Sequence, residues 1–302
     1  MTAIELRGLT KHYGDVTALE EVDLSVEEGE IFGFLGPNGA GKSTTIDILL
    51  DFVRPTSGEA SVLGMNAQAE TLAVRRRTGV LPDGFHIYDR LTGRQHIDFV
   101  VESKGADDDP MAVLERVGIA DAADRSAGGY SKGMTQRLAL GMALVGDPDL
   151  LILDEPSTGL DPAGAREIRD IVREESNRGT TIFFSSHVLS QVEAVCDRVG
   201  ILRAGELIAV DTVDGLRDAA GTEARLRITV DGIDDDALDA VRGLDGVSTV
   251  SLDGETLTVG VGDGSKTAVL NALEAADVTV RDFETTESSL EELFISYTEG
   301  DQ

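Results

Sequence analysis

The chain has 302 residues, enough to bury a sizeable core in one large domain or two moderate ones. Its 26 Lys and Arg residues are outnumbered by 56 Asp and Glu residues, which gives a formal net charge of −30. Such a charge repels nucleic acid over most of the surface, so a nucleic-acid-binding role is disfavoured. The same acidic excess, with few lysines, favours the hypothesis that the protein works in a high-salt cytoplasm.

Neither a signal peptide nor a membrane span is predicted. The first residues, MTAIELRGL, lack a basic region followed by an apolar one. No apolar run approaches the ~20 residues that span a bilayer, so we expect a soluble chain whose membrane role depends on a partner. The single cysteine, Cys196, excludes an intrachain disulfide and, within an apolar helical stretch, is interpreted as a small core residue.

Short apolar strands alternate with amphipathic helices over the first two thirds of the chain. Thr92 with Gln95 forms a predicted capping box, and Asp109 with Pro110 marks another helix start. This alternation favours an α/β fold with a mainly parallel sheet covered by helices. The predicted strands are 31–35, 79–81, 150–153, 181–185 and 199–202, and the predicted helices lie near 42–52, 132–145, 163–177 and 188–195.

The pattern changes after about residue 220. ARLRITV alternates strictly, and two helical stretches and three further strand patterns follow, with a turn at Asp253 and Gly254. The order βαββαβ is that of a ferredoxin-like α+β unit, followed by a predicted helix in SSLEELFISY. We therefore predict one domain over residues 1–218, with a helical subdomain near 84–145, and an accessory domain over 222–302.

A glycine-rich loop follows the apolar strand EIFGFL and opens the helix KSTTIDILL. It matches G-x-x-x-x-G-K-[ST], in which glycines let backbone N–H groups approach an anion. Lys42 supplies a positive charge for the β- and γ-phosphates, and Ser43 supplies a hydroxyl for Mg²⁺. The predicted nucleotide-binding residues are Gly36, Pro37, Asn38, Gly39, Ala40, Gly41, Lys42, Ser43 and Thr44.

Two adjacent carboxylates end the buried strand pattern in LLILDEP. Asp154 is predicted to hold Mg²⁺, and Glu155 to polarise the attacking water as general base. A buried strand rarely ends with two carboxylates unless they have partners. The pair therefore predicts hydrolysis of a bound nucleotide.

Three stretches, YSKGMTQRL, LLILDEPSTGLDP and SSHVLSQVEAVCDRV, follow one another along the chain. They resemble the signature, Walker B with D-loop, and switch-histidine sequences of ABC-transporter ATPases, and the resemblance covers roughly residues 3 to 215. It implies that the helix start at Ser131, with Gly133 and Met134, faces the γ-phosphate of an ATP held by a second subunit. A head-to-tail dimer would then enclose two ATP molecules.

Further positions match that family. Tyr13 matches the aromatic on which adenine stacks, although an ordinary strand-end tyrosine remains the alternative. His187 matches the histidine that contacts the γ-phosphate and helps to orient Glu155, which makes Lys42, Glu155 and His187 the predicted catalytic residues. Residues 159–161 match the D-loop, which would touch the opposite subunit.

The sequence also departs from the family pattern. Asp83 stands where a glutamine usually senses Mg²⁺ in that family; aspartate is shorter and charged, and Asp83 is a candidate metal ligand. The signature has Tyr130, Lys132 and Met134, a variant that looks like the subgroup driving ABC-2-type exporters, as does the C-terminal addition. Lys132 either adds positive charge near the phosphate or faces solvent, and we slightly favour solvent.

The resemblance implies an Mg²⁺-dependent ATPase that acts on the inner face of the cell membrane. Its expected partners are a polytopic permease on a separate chain, contacted around residues 83–103, and a second copy or a homologous ATPase subunit. Loss of Lys42 is expected to impair nucleotide binding, whereas Glu155→Gln is expected to leave binding intact and slow hydrolysis by ~10²–10⁴.

Two other classes of ATPase remain as alternatives. A genome-maintenance ATPase would have a long coiled coil between the phosphate loop and the signature, but residues 42–131 carry no sustained heptads. A soluble assembly or translation factor is harder to exclude. Translation factors normally carry two ATPase domains, and an assembly ATPase is not expected to have the C-terminal unit.

Overall fold

A computed structural model describes residues 1–219, 224–261 and 266–286 of the protein. The chain forms two compact units, the first Met1–Val213 and the second beginning at Asp214. The strands of the first unit are β1 (Thr2–Tyr13), β2 (Val16–Glu27), β3 (Ile31–Leu35), β4 (Ser57–Val62), β5 (Met65–Asn66), β6 (Thr78–Leu81), β7 (Leu150–Asp154), β8 (Thr181–Ser186), β9 (Arg198–Arg203) and β10 (Glu206–Thr212). Its helices are α1 (Lys42–Leu49), α2 (Thr71–Arg77), α3 (Gly93–Lys104), α4 (Pro110–Arg116), α5 (Lys132–Leu144), α6 (Pro162–Asn177) and α7 (Leu189–Glu193), and α8 (Val213–Ala219) follows at the boundary.

A six-stranded sheet in the order β10-β9-β3-β8-β7-β6 forms the centre of the first unit. Its strands are parallel except β10, which pairs antiparallel with β9. All five residues of β3 and of β7 are buried, as expected for strands covered on both faces. The predicted mainly parallel sheet is thus confirmed, and the carboxyl ends of β3, β7 and β8 meet at one edge.

A second sheet, in the order β2-β1-β4-β5, was not predicted from the sequence. Its strands are antiparallel, and the long hairpin of β1 and β2 contains several register shifts. Its apolar side chains, among them Leu6, Leu24 and Val62, join the core around Phe32 and Phe34 of the central sheet. Each shift interrupts the alternation of apolar and polar residues that identifies a strand. The sequence therefore predicts β1 and β2 poorly, although they are long.

Side-chain caps mark where α3, α4, α5 and α6 begin. Thr92 and Gln95 form the predicted capping box of α3, and Asp109 accepts from the Met111 N–H at the start of α4. Asp109 therefore marks the start of α4, as the sequence predicts. The predicted helix 42–52 ends earlier, at Leu49, since Asp51 adopts a positive φ of 51°.

The second unit contains α9 (Asp235–Arg242), α10 (Lys266–Ala275) and the strands β11 (Ala224–Val230), β12 (Val247–Asp253), β13 (Thr256–Val261) and β14 (Val280–Thr286). The predicted order βαββαβ is therefore observed, and the sheet order β12-β13-β11-β14 with antiparallel pairs is that of a ferredoxin-like unit. Its core joins β11 and β13 to both helices through Leu226, Ile228, Val259, Leu238 and Leu273. The predicted helix in residues 288–297 lies outside the described residues.

None of the helices in the described part of the chain is long and apolar enough to cross a bilayer. Cys196 is buried and unoxidised in the first unit, against the position that a Cβ on Gly33 would occupy. Burial raises the pKa of its thiol. Cys196 is thus a core residue, as the sequence predicts.

Candidate functional site

The phosphate loop connects the end of β3 to the start of α1. Gly41 takes a φ of 114°, and an added Cβ would collide with the Ala18 carbonyl, so glycine is required there. A Cβ on Gly36 would likewise collide with the Leu202 carbonyl. The side chain of Lys42 folds back over the loop and is buried, with its Nζ donating to the Gly36 carbonyl at 2.6 Å and the Pro37 carbonyl at 3.3 Å.

A cavity of about 170 Å³ opens above this loop. The sequence predicted most of its lining, and Ala18 of β2 is an addition that the motifs do not contain. Ala40, in contrast, is buried and does not line the cavity. The lining residues are Ala18, Pro37, Asn38, Gly39, Gly41, Lys42, Ser43, Thr44, Asp83, Asp154 and Glu155.

Asp154 is buried at the end of β7, directly across from Ser185 on the parallel neighbour β8. One carboxylate oxygen accepts a hydrogen bond from the Ser185 hydroxyl, and the other lies 3.4 Å from Ser43 Oγ. Burial raises the pKa of Asp154, and the nearby charges of Asp83 and Glu155 raise it further against the opposing hydrogen bond from Ser185. Oxygen donors of this kind are the ligands that Mg²⁺ prefers, so Ser43, Asp154 and Asp83 fit the predicted metal.

Glu155 begins a sharp turn out of β7 with a positive φ of 51°. One carboxylate oxygen lies 2.8 Å from His187 Nδ1 and 3.7 Å from Lys42 Nζ, while the other accepts from the Thr158 hydroxyl at 3.0 Å. Burial lowers the pKa of Lys42, although the charges of Glu155 and Asp154 oppose that shift. The three predicted catalytic residues therefore meet in one place.

Other predicted residues lie apart from this cavity. Tyr13, at the end of β1, is 46% exposed, and one face of its ring is covered by Lys11 Nζ at 4.8 Å from the centroid. Ser131 caps α5 by accepting from the Met134 N–H at 3.3 Å. Among the described residues that line the cavity, none comes from the start of α5, where Ser131, Gly133 and Met134 lie.

Lys132 is exposed, in line with the preferred interpretation, but its ammonium group also lies against Gly159. An added Cβ on Gly159, which has a φ of 68°, would collide with that ammonium group. The first turn of α5 and the predicted D-loop therefore touch within one chain. This contact was not predicted, because the two residues are far apart in the sequence.

Two site residues were missed by sequence reasoning. Ser185 holds Asp154, and its place in SSH directly after an apolar strand was a usable signal. Thr158 holds Glu155 from only three residues away. Neither contact could be assigned before the turn at Glu155 and the pairing of β7 with β8 were known.

Comparisons with known proteins agree with this site. A family model described as ABC transporter matches residues 19–158, and one described as ATP-binding protein DrrA1-3-like, C-terminal domain, matches residues 212–298. The chain is 33% identical over 304 residues to the linearmycin resistance ATP-binding protein LnrL of Bacillus subtilis, covering 98% of each chain. It is 34% identical over 306 residues to the daunorubicin/doxorubicin resistance ATP-binding protein DrrA of Streptomyces peucetius, covering 98% of this chain and 92% of that one.

A solved structure of an ATP-binding subunit of an ABC transporter superposes with a TM-score of 0.65 at 29% identity, covering 73% of this chain and 94% of that one. The phosphate loop, the two carboxylates and this match define an ATP-hydrolysing cassette. The chain belongs to the ATP-binding proteins of ABC transporters, in the ABC-2-type exporter subgroup, and it is an ATPase.

Proposed function

We propose that two copies of this ATPase subunit, or one copy and a homologue, close head to tail on two ATP molecules to drive an ABC-2-type exporter. The proposal rests on one observation: within one chain, the predicted ATP-binding residues do not all line the same cavity. The phosphate loop and both carboxylates line one cavity, whereas no described residue from the start of α5, where Ser131 accepts from the Met134 N–H, lines it. A second chain would supply that helix start to the γ-phosphate.

In the closed dimer, Lys42 neutralises the β- and γ-phosphates, and Glu155 accepts the proton of the attacking water. His187, already 2.8 Å from Glu155, would contact the γ-phosphate and keep the carboxylate aimed at that water. Ser43 and Asp154 would hold Mg²⁺, which supplies charge neutralisation for the phosphates. Tyr13 would stack on adenine with the ring face that Lys11 leaves open.

We propose that the permease docks on the surface formed by residues 83–103. Tyr88 is 70% exposed and Phe99 is 61% exposed, which is unusual for side chains of that size. Beside them lies a largely apolar cavity of about 300 Å³, lined in part by Phe85, Val100 and Met142. Aromatic side chains next to an apolar cavity support contact with an apolar partner segment.

The resistance proteins among the relatives support an antibiotic or similar compound as cargo, with its specificity residing in the permease. The ATPase would then be peripheral on the cytoplasmic face of the cell membrane. The net charge of −30 supports a further part of the proposal, a cytoplasm of high ionic strength. The domains remain proposed as 1–218 for the ATPase and 222–302 for an accessory unit.

Purification of the tagged protein from its native membranes tests the proposed function. In mild detergent and high salt, we expect a polytopic membrane protein of about six spans to copurify in stoichiometric amount. The Lys42→Ala variant, prepared in parallel, controls for contacts that depend on bound nucleotide.

Recovery of a soluble partner instead, under conditions that preserve ATP-dependent dimers, would contradict the exporter proposal. That result would leave the ATPase activity in place and favour a soluble assembly factor. Recovery of the ATPase alone under the same conditions would contradict the proposal in the same way.

A further inference from the structure

The carboxylate of Glu155 is held by three side chains in the described structure. Its Oε1 is close to His187 Nδ1 at 2.8 Å and to Lys42 Nζ at 3.7 Å. Its Oε2 accepts from Thr158 Oγ1 at 3.0 Å. Each oxygen is thus held separately, which fixes both the position and the rotation of the carboxylate.

Two of these three partners are proposed to contact the phosphates as well when ATP binds. Lys42 would move its ammonium group to the β- and γ-phosphates, and His187 would contact the γ-phosphate. Thr158 has no proposed contact with the nucleotide of its own chain. Its hydrogen bond is therefore the contact among these three for which no phosphate group competes.

The backbone around Thr158 is well fixed. The Thr158 N–H donates to the Glu155 carbonyl at 3.1 Å, and the Leu160 N–H donates to the Ser157 carbonyl at 3.2 Å. The segment starts at the buried strand β7 and ends at Asp161, whose side chain caps α6 by accepting from the Gly164 N–H at 3.0 Å. A hydroxyl anchored in this way can hold a carboxylate with little loss of side-chain freedom.

We infer that Thr158 is a positioning residue, which together with His187 keeps the general base Glu155 aimed at the attacking water while Lys42 turns to the phosphates. The inference rests on the proposed function, because it takes Glu155 as the base. Thr158 acts through Glu155 and not on ATP. A substitution of Thr158 should therefore lower the rate of hydrolysis and leave the affinity for nucleotide unchanged.

The test compares Thr158→Val, which keeps the shape but removes the hydroxyl, with Thr158→Ser, which keeps the hydroxyl. Losing a hydrogen bond to a charged group should lower kcat by about tenfold in Thr158→Val. The KM for ATP and the affinity for a fluorescent ATP analogue should stay within about twofold of the wild type. Thr158→Ser should retain most of the wild-type kcat.

A double-variant cycle separates positioning from a general packing defect. In the Glu155→Gln background, Thr158→Val should produce little further loss of kcat, because the base that it positions is gone. An equal loss in both backgrounds, an equal loss in Thr158→Ser, or an unchanged kcat in Thr158→Val would each overturn the inference. If Glu155→Gln itself hydrolyses ATP normally, the proposed role of Glu155 fails instead.

Discussion

At the scale of single residues, the carboxyl group of Asp154 is harder to ionise than an exposed aspartate because it is buried. Burial raises the pKa of Asp154, and the charges of Asp83 and Glu155 add to that shift. A carboxyl whose pKa is raised on folding stabilises the protein while it is protonated, and this contribution is lost as the pH rises through the raised pKa. At neutral pH, an ionised Asp154 therefore costs stability until a cation binds.

Asp154→Asn removes that charge and keeps the shape of the side chain. We expect a higher Tm than in the wild type at pH 7 without Mg²⁺, by roughly 2–4 °C for each kcal/mol of relieved repulsion. The difference should shrink as the pH falls through the raised pKa of Asp154, because the wild-type carboxyl becomes protonated there. Thermal unfolding of both proteins with EDTA, followed by circular dichroism between pH 4 and pH 8, measures this.

The control for that experiment is Asp98→Asn, which changes an exposed carboxylate on α3. Its Tm should match that of the wild type throughout. A Tm for Asp154→Asn that is lower than the wild-type value at pH 7 would contradict the assignment of Asp154 as a destabilising charge. The same variant should also lose the rise in Tm that Mg²⁺ with ATP gives the wild type.

At the scale of elements, α4 and α6 are joined by a buried ion pair. Glu175 of α6 is fully buried, and Arg116 of α4 donates to both of its carboxylate oxygens, through Nε at 2.7 Å and through Nη2. Arg116 also donates to Asp147 at 2.6 Å, and Arg178 donates to Glu175 at 3.3 Å. Because the carboxylate is buried, removing its partner should lower the stability of the protein far more than breaking an exposed ion pair would.

Arg116→Met should destabilise the protein by about 3 kcal/mol, because it leaves Glu175 buried without its main partner. Arg77→Met is the matched control, since Arg77 forms an ion pair with Asp149 at 2.8 Å in which both side chains are about half exposed. That variant should cost less than about 1 kcal/mol. Urea unfolding followed by circular dichroism measures the free energy of unfolding of both variants. An equal loss in the two would contradict this prediction.

Local sequence predicted the loop from β3 to α1, since its glycines, lysine and flanking apolar strand are contiguous. It also predicted that Asp154 and Glu155 meet this loop, because ligands bind at the carboxyl ends of parallel strands. It did not predict that Ser185 holds Asp154 or that Lys132 touches Gly159. Those contacts depend on which strands are neighbours and how the turn after β7 bends, and local sequence alone does not specify either.

At the scale of the whole molecule, the net charge of −30 is spread over both units, with acidic segments such as 107–109 and 234–236. Salt screens the repulsion between these like charges. The Debye length falls from about 10 Å at 0.1 M salt to about 3 Å at 1 M. The folded chain should therefore be most stable at high ionic strength.

Thermal unfolding in KCl tests the high-salt proposal. We expect the Tm to rise by several degrees between 0.1 M and 2 M KCl, because screening relieves repulsion between carboxylates. Sucrose at matched osmolality controls for exclusion of solute from the protein surface, and should raise the Tm less. A Tm that is unaffected by molar KCl would count against adaptation to a salty cytoplasm.

The folded-back side chain of Lys42 has a consequence for affinity. While its ammonium group is held by the Gly36 carbonyl and lies 3.7 Å from Glu155, we expect it to be less available to a phosphate. The apparent dissociation constant is then the intrinsic one divided by the fraction of molecules in which Lys42 is released. The Gly36 carbonyl and the Glu155 carboxylate thus compete with phosphate for the ammonium group of Lys42.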